Sequence, residues 1–373
     1  MASKIVFTTP ILATTTSNTT MTTRGTKTWK TDTSFWNATY RGVAICSGVE
    51  AVLILATNLF LLLVLASSSS LRSQRRYQLV LSLVVANLVV GIFSSPFAVD
   101  FSVERDWVHG CYFEVVRTLL TLYVQNFVTL WGVVLLLLHY VARLLRYEGP
   151  AWRLRLPALL QRAAGPSFVA LPWVVAVVFV TPILFGGLHS YAWIIWNETR
   201  CPIILQRWAN HLLSVFTFFV PTLFLIVLIV AIVVLHKRYG GGGGGDGLRG
   251  AEMGAGLVAE DKDALEPPLL HVLTAVITVV LMAPDHIFYV ARYHISAPWH
   301  DVVTIAVVVM ALSELLPFVL ALLWLLLWAD VRARVAELAA RLPCSFCYRL
   351  RSPPQAAGDT SVAPVVFRDL QDE

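Results

Sequence analysis

Seven long apolar segments, each with few charges, dominate the sequence. They lie at 43–66, 79–99, 112–138, 166–184, 211–235, 269–290 and 302–328. About 20 apolar residues span the roughly 30 Å hydrocarbon core as a helix, and a helix satisfies its own backbone hydrogen bonds there. The sequence therefore predicts an all-α membrane protein, a seven-transmembrane helix bundle whose two chain ends face opposite sides of the membrane.

The composition favours one membrane bundle with polar tails over several soluble domains. Hydrophobic residues make up 57% of the 373 residues and charged residues 14%, whereas soluble domains average about 25% charged residues. The net charge of +5 comes with scattered arginines, which contact with lipid headgroups explains better than nucleic acid does. Membrane lipids are therefore expected partners, and nucleic acid is not.

The distribution of basic residues predicts the orientation. The first, third and fifth loops between the apolar segments hold three, five and four Lys and Arg residues, and six more follow the last segment. The second, fourth and sixth loops together hold four. Because cytoplasmic loops carry the excess of Lys and Arg, the odd loops are predicted to be cytoplasmic. We expect a multi-pass plasma-membrane protein with an extracellular N-terminus.

Four regions follow from this topology. Residues 1–41 are predicted to form a disordered, Thr-rich extracellular tail, and residues 42–329 the bundle. Residues 330–343 are predicted to form an interfacial amphipathic helix, and residues 344–373 a cytoplasmic tail. The amphipathic helix repeats apolar residues among arginines, which suits a short eighth helix on the inner membrane surface. Glycosylation sequons fall on the predicted outer side, at Asn18, Asn37 and Asn197.

The five cysteines divide by compartment. Cys111 and Cys201 lie on the predicted oxidising side, so a disulfide between the third segment and the second outer loop is expected. Cys46, inside the first segment, is interpreted as a small buried hydrophobe. Cys344 and Cys347 follow the amphipathic helix, and palmitoylation explains them better than a metal or redox pair does.

Several motifs together resemble the rhodopsin-like (class A) G-protein-coupled receptors over about residues 43–342. Asn58 and Asn87 stand at the landmark polar positions of the first two helices, and Trp173 stands in the fourth. Prolines at family positions occur in the last four helices, at Pro182, Pro221, Pro284 and Pro317. The Thr-rich tail and the altered family motifs described below also resemble herpesvirus-encoded receptors, in which case the location is the host cell membrane. The alternative is an orphan animal receptor.

The chain departs from the family at its activation-switch positions. The Asp-Arg-Tyr of the third helix reads Leu138-His139-Tyr140, and Arg143 lies one turn further in as a partial replacement. Asn87 replaces the aspartate that holds sodium, so sodium binding is expected to be weak or absent.

The departures continue in the sixth and seventh helices. The family has a tryptophan shortly before the proline of the sixth helix, and this tryptophan is missing before Pro284. The family's Asn and Tyr on either side of the seventh-helix proline are missing around Pro317. His139 either meets headgroups and water or forms a pH-sensitive inner latch.

Ionisable residues inside the apolar segments are costly and often functional. The resemblance implies an outward-opening ligand cavity, and by that resemblance four residues could line it, namely Arg117, Thr121, Asp285 and His286. The alternative is mutual pairing, for example of Arg117 with Asp285. Glu50 and Glu314 are further acidic residues in the first and seventh segments.

The expected function is a cell-surface receptor of the G-protein-coupled type with altered activation motifs and an unknown extracellular ligand. Its expected partners are a heterotrimeric G protein or arrestin, and a homo- or hetero-oligomer. The alternative is a receptor-like scaffold, decoy or dimer partner that does not couple to G proteins. A transporter or channel fits less well, because the sequence lacks an inverted repeat. No catalytic motif, metal site or cofactor motif is recognised, so an enzyme is not expected.

Overall fold

The computed structural model describes residues 33–104, 109–148, 166–188, 205–240, 268–291 and 299–341, and nearly all of these residues are helical. Seven of the helices are long and apolar enough to cross a membrane. The predicted all-α, seven-helix architecture is therefore confirmed. The end of the bundle at which the first helix begins is called the outer end below, after the predicted orientation, and the opposite end is the inner end.

Eight helices, α1 to α8, and a short helix at Ser69–Ser73 make up the described fold, and four of the eight change geometry along their length. Continuous helices are α1 (Thr33–Ala66), α4 (Pro166–Gly187), α6 (Pro268–Ala291) and α8 (Ala329–Arg341). Broken helices are α2 (Arg75–Phe93 and Ser95–Glu104) and α7 (Trp299–Glu314 and Leu316–Leu327). Two helices contain a π-helical stretch, α3 (Cys111–Thr118, Leu119–Val124 and Gln125–Glu148) and α5 (Arg207–Ser214, Val215–Phe219 and Val220–Gly240).

Two boundaries differ from the sequence prediction. The α1 helix begins at Thr33, inside the region interpreted as a disordered tail, so the predicted glycosylation site Asn37 lies on a helix. Apolar runs mark only the part of a helix that hydrocarbon must cover, and the helix continues into polar sequence. The amphipathic helix α8 covers Ala329–Arg341, close to the predicted 330–343.

Prolines account for three of the irregularities. A proline lacks the N–H that the carbonyl four residues earlier needs, so the helix breaks or widens there. The break of α2 at Ser94 precedes Pro96, and the break of α7 at Leu315 precedes Pro317. The π-helical stretch of α5 ends just before Pro221.

A buried amide cluster joins α1, α2 and α7. The side-chain amide of Asn87 donates to Asn58 Oδ1 at 3.1 Å and to the Pro317 carbonyl at 3.4 Å. Asn58 Nδ2 also donates to the Pro317 carbonyl, at 3.2 Å. Both asparagines are fully buried. These bonds use the amide hydrogens of Asn87, which an aspartate would lack, so the neutral residue suits this packing.

Polar and aromatic contacts join the inner end of α2 to the start of α8. Asp330 accepts hydrogen bonds from Arg76 Nη2 at 2.7 Å and from the Tyr77 hydroxyl at 2.9 Å. The Tyr77 ring packs edge-on against Trp328 at 5.2 Å between centroids. On the exposed side of α8, a hydrogen bond from Arg334 holds the pKa of Glu337 below its usual value. The orientation of α8 is therefore fixed by the bundle itself.

The α4 and α5 helices approach most closely at the outer end. The Gln206 N–H donates to the Gly187 carbonyl at 2.7 Å. A Cβ atom added at Gly187 would lie 2.2 Å from the Ala209 Cβ. By contrast, a Cβ added at the neighbouring Gly186 meets no atom of the described residues within 4 Å. Only a glycine at 187 permits this approach.

This contact predicts opposite effects of two adjacent substitutions. Gly187→Ala should lower the free energy of unfolding by about 1 to 3 kcal/mol, because the methyl group forces α4 and α5 apart. Gly186→Ala should leave it unchanged or raise it by up to about 1 kcal/mol, because alanine favours helix. Thermal unfolding of the purified protein in detergent compares the two. Equal stability of both variants would contradict the assigned contact.

Candidate functional site

A small cavity lies between α3, α5 and α6 near the outer end. Its lining consists of Leu122, Tyr123, Asn210, Ser214, Thr217, Asp285, His286 and Tyr289. Most of these side chains can donate or accept hydrogen bonds. The enclosed space holds roughly one water molecule. The site can thus recognise a small polar group, and a larger ligand requires the helices to separate.

The two π-helical stretches shape this cavity. Leu122 and Tyr123 belong to the stretch in α3, while Thr217 belongs to the stretch in α5. A π-helical turn adds a residue to the helix and changes the direction of the side chains that follow. Such turns occur often at functional sites. The Trp131 indole N–H donates to the Phe216 carbonyl at 3.3 Å, so one irregular turn is held by the neighbouring helix.

His286 is the most unusual residue of the cavity. Its ring stacks on Phe218 of α5 with 4.8 Å between centroids and an angle of 13° between the planes. The residue is 6% exposed, and its Nε2 atom finds no hydrogen-bond partner among the described residues. A buried polar atom without a partner costs free energy. His286 therefore presents an unused hydrogen-bonding atom at a cost to stability.

Two further contacts hold the cavity walls. Asn210 Nδ2 of α5 donates to the Tyr289 carbonyl of α6 at 3.1 Å. Asp285 lies beside His286 in the turn after Pro284 and is also buried. A carboxyl group and an imidazole on one turn offer hydrogen-bond acceptors and a donor to the same ligand group.

The structure divides the four predicted ligand residues into two pairs. Asp285 and His286 line the cavity, whereas Arg117 and Thr121 do not belong to its lining. Arg117 forms an ion pair with Glu114, whose carboxylate accepts from Nε at 2.7 Å and from Nη2 at 2.6 Å. The hydroxyl of Thr121 donates to the Arg117 carbonyl at 2.8 Å. Both side chains thus make contacts within α3 itself.

Sequence reasoning missed six lining residues, and part of that set carried a signal. Asn210, Ser214 and Thr217 follow the i, i+4, i+7 spacing of one helix face. A polar stripe inside an apolar segment indicates a face that packs against protein. The Glu114 and Arg117 pair has the i, i+3 spacing of a helical ion pair and could also have been predicted.

The activation-switch positions fall into three places. Asn87 and Pro317 take part in the amide cluster, and Pro284 precedes the cavity residues on α6. Tyr140, at the inner end of α3, packs against His271 of α6 with 4.3 Å between ring centroids.

Tyr140 and His271 are both 3% exposed. His139 and Arg143 are half-buried beside this contact. An aromatic pair therefore joins α3 and α6 at the inner end.

The cysteine predictions have mixed outcomes. The disulfide expected between Cys111 and Cys201 stays a prediction, because Cys201 lies outside the described residues. Cys46 is free and exposed on α1. This corrects the interpretation of a buried residue, because an apolar span offers its outward face to lipid rather than to a core. The predicted sites Asn18, Asn197, Cys344 and Cys347 also lie outside the described residues.

Comparison with known proteins gives no assignment. No protein-family model matches the chain, and no curated protein sequence matches it at a significant level. Within the described residues, no group of three or more His, Cys, Asp or Glu side chains could hold a metal ion. The inference of function therefore depends on the geometry of the bundle.

The buried imidazole predicts a gain in stability when it is replaced. His286→Phe should raise the free energy of unfolding by about 1 to 2 kcal/mol, because an apolar ring keeps the Phe218 contact without an unsatisfied nitrogen. The reverse exchange at a buried position on the same helix, Phe288→His, should lower it by about 1 to 3 kcal/mol. Denaturant unfolding measures both. A loss of stability in His286→Phe would mean that Nε2 is satisfied in the folded protein.

Proposed function

We propose that the protein is a cell-surface seven-helix receptor of the G-protein-coupled type, and that the cavity between α3, α5 and α6 receives its ligand. The observation that carries the proposal is the buried, unsatisfied imidazole of His286 in a polar cavity. A polar group kept at a cost inside a membrane bundle is typically retained for function. The cavity offers hydrogen bonds to a polar or charged group of the ligand.

The α6 helix provides a route from the cavity to the inner end. His286 and His271 lie on the same helix, 15 residues and therefore roughly 22 Å apart. Pro284 weakens the helix just before the cavity residues. A ligand that displaces His286 from Phe218 would tilt α6 and alter the contact of His271 with Tyr140. At each end of this route an aromatic ring packs against a neighbouring helix. Such a packed ring contact has alternative arrangements.

The alternative is a receptor-like scaffold, decoy or dimer partner that does not couple to G proteins. His139 stands where the family has the arginine that engages the G protein. The contact of Tyr140 with His271 is well buried, which favours a closed inner end. In this alternative the bundle presents its surface to another membrane protein, and the cavity has no role in signalling.

A G-protein activation panel in transfected cells separates the two functions. The parent chain, His139→Arg and the cavity variant His286→Phe are compared at equal surface expression, with Phe288→Tyr as a conservative control on the same helix. For a receptor we expect His139→Arg to raise basal activity for at least one G-protein class by several-fold. We also expect His286→Phe to change that activity while Phe288→Tyr does not. If none of these chains activates a G protein at normal surface expression, the result would favour the scaffold.

A further inference from the structure

Two acidic side chains meet between α1 and α7, away from the cavity. The side chains of Glu50 of α1 and Glu314 of α7 lie close enough to interact electrostatically and to share a hydrogen bond if one of them carries a proton. The Ser94 hydroxyl, at the break of α2, donates to Glu314 Oε1 at 2.8 Å. Glu50 is 6% exposed, and its Oε2 atom finds no hydrogen-bond partner among the described residues. Three helices thus converge on one pair of carboxyl groups.

The backbone around this pair is interrupted on two sides. Ser94 is the residue at which α2 breaks, and Glu314 is the last residue before the break of α7. Pro96 and Pro317 leave carbonyl groups near both breaks without their helical donors. Irregular backbone at membrane depth is tolerated only where it is buried in protein or lines a wet cavity. The pair therefore lies where two of the three converging helices leave regular geometry.

A hydrogen bond between two carboxyl groups needs a proton. Two neighbouring carboxylates have no donor to share, and their charges repel strongly in a medium of low dielectric constant. An ionised pair without a cation would also be desolvated at great cost. One proton shared between Glu50 and Glu314 removes the repulsion and leaves a single charge, which the Ser94 hydroxyl stabilises.

We propose that Glu50 and Glu314 form a binding site for one proton that clamps α1 to the outer half of α7. The site holds its proton at neutral pH. Release of the proton leaves two carboxylates facing each other and separates α7 from α1. The bound proton is the ligand of this site, and the contact between α1 and α7 depends on it. This inference does not depend on the receptor assignment, because it concerns only the packing of a membrane-embedded bundle.

The other ionisable groups of the packed helices do not neutralise this pair. On the outer halves of these helices they are Tyr40, Arg41 and the exposed Cys46 on α1, Asp100 and Glu104 on α2, Asp301 on α7, and Asp285, His286 and Tyr289 on α6, which packs against α7. Arg75, Arg76, Tyr77 and His271 lie at the inner ends of α2 and α6. Asp100 already pairs with His109 at 2.7 Å. Arg41 lies nine residues before Glu50, roughly 13 Å along the helix. The acids add negative charge, which favours retention of the proton.

The sign of the pH dependence follows from proton counting. In the unfolded chain both glutamates have a pKa of about 4.3 and are ionised above pH 6. The folded pair keeps one proton that the unfolded chain has released, so stability falls as pH rises. The unfolding equilibrium constant should increase by up to about tenfold per pH unit while the folded pair retains its proton.

The experiment measures unfolding of the full-length protein in detergent from pH 6 to 9. The parent chain and the control Glu104→Gln should lose stability with rising pH along the same slope. The double variant Glu50→Gln/Glu314→Gln keeps a neutral, hydrogen-bonded pair and should lose that slope. A double variant that folds and retains the parent slope would overturn the proposal.

Infrared difference spectroscopy of the parent protein provides a readout that does not depend on folding of the double variant. The parent protein should show the carbonyl band of a protonated carboxylic acid at pH 7, and this band should disappear at high pH. Ser94→Ala keeps both acids but removes a hydrogen bond to the pair, so the band should shift in frequency. Absence of any protonated carboxylic acid in the parent at pH 7 would overturn the proposal even if the double variant failed to fold.

Discussion

The lack of water in hydrocarbon is the constraint on which the rest of this structure depends. Polar groups that enter the membrane have to find partners inside the bundle. Asn58 and Asn87 do so through the Pro317 carbonyl, and Trp173 of α4 does so through the Ser82 hydroxyl of α2 at 2.8 Å. Apolar packing alone does not distinguish one helix arrangement from another, since lipid is equally apolar. The polar contacts therefore determine which helices are neighbours.

Prolines give the same bundle its local irregularity. The carbonyl that accepts from both asparagines belongs to Pro317, next to the break of α7. A second break, at Ser94, supplies the hydroxyl that binds Glu314. The widened turn of α5 before Pro221 borders the cavity. Both the cavity and the carboxyl pair thus occur where a helix leaves regular geometry, because regular membrane helices leave little room for polar groups.

The sequence predicted the parts of the fold that depend on hydrophobicity alone. Seven apolar segments became seven helices, and the arginine-rich amphipathic segment became α8. It did not predict the π-helical stretches, because a one-residue widening leaves no periodic signal over so few residues. Asp285 and His286 were predicted from the family resemblance and from their ionisable side chains inside an apolar segment, and they line the cavity. Arg117 was predicted on the same grounds, but it pairs with Glu114 and lies outside the cavity lining. Tertiary contacts such as that of Tyr140 with His271 require the fold itself.

Topology in an intact cell tests the central claim most directly. Epitope tags are placed at the two ends of the full-length chain, and antibody binding is measured before and after the membrane is permeabilised. Seven crossings with an extracellular N-terminus predict that the N-terminal tag is stained on intact cells, and that the C-terminal tag is stained only after permeabilisation. Staining of both tags on intact cells, or of neither, would contradict seven crossings.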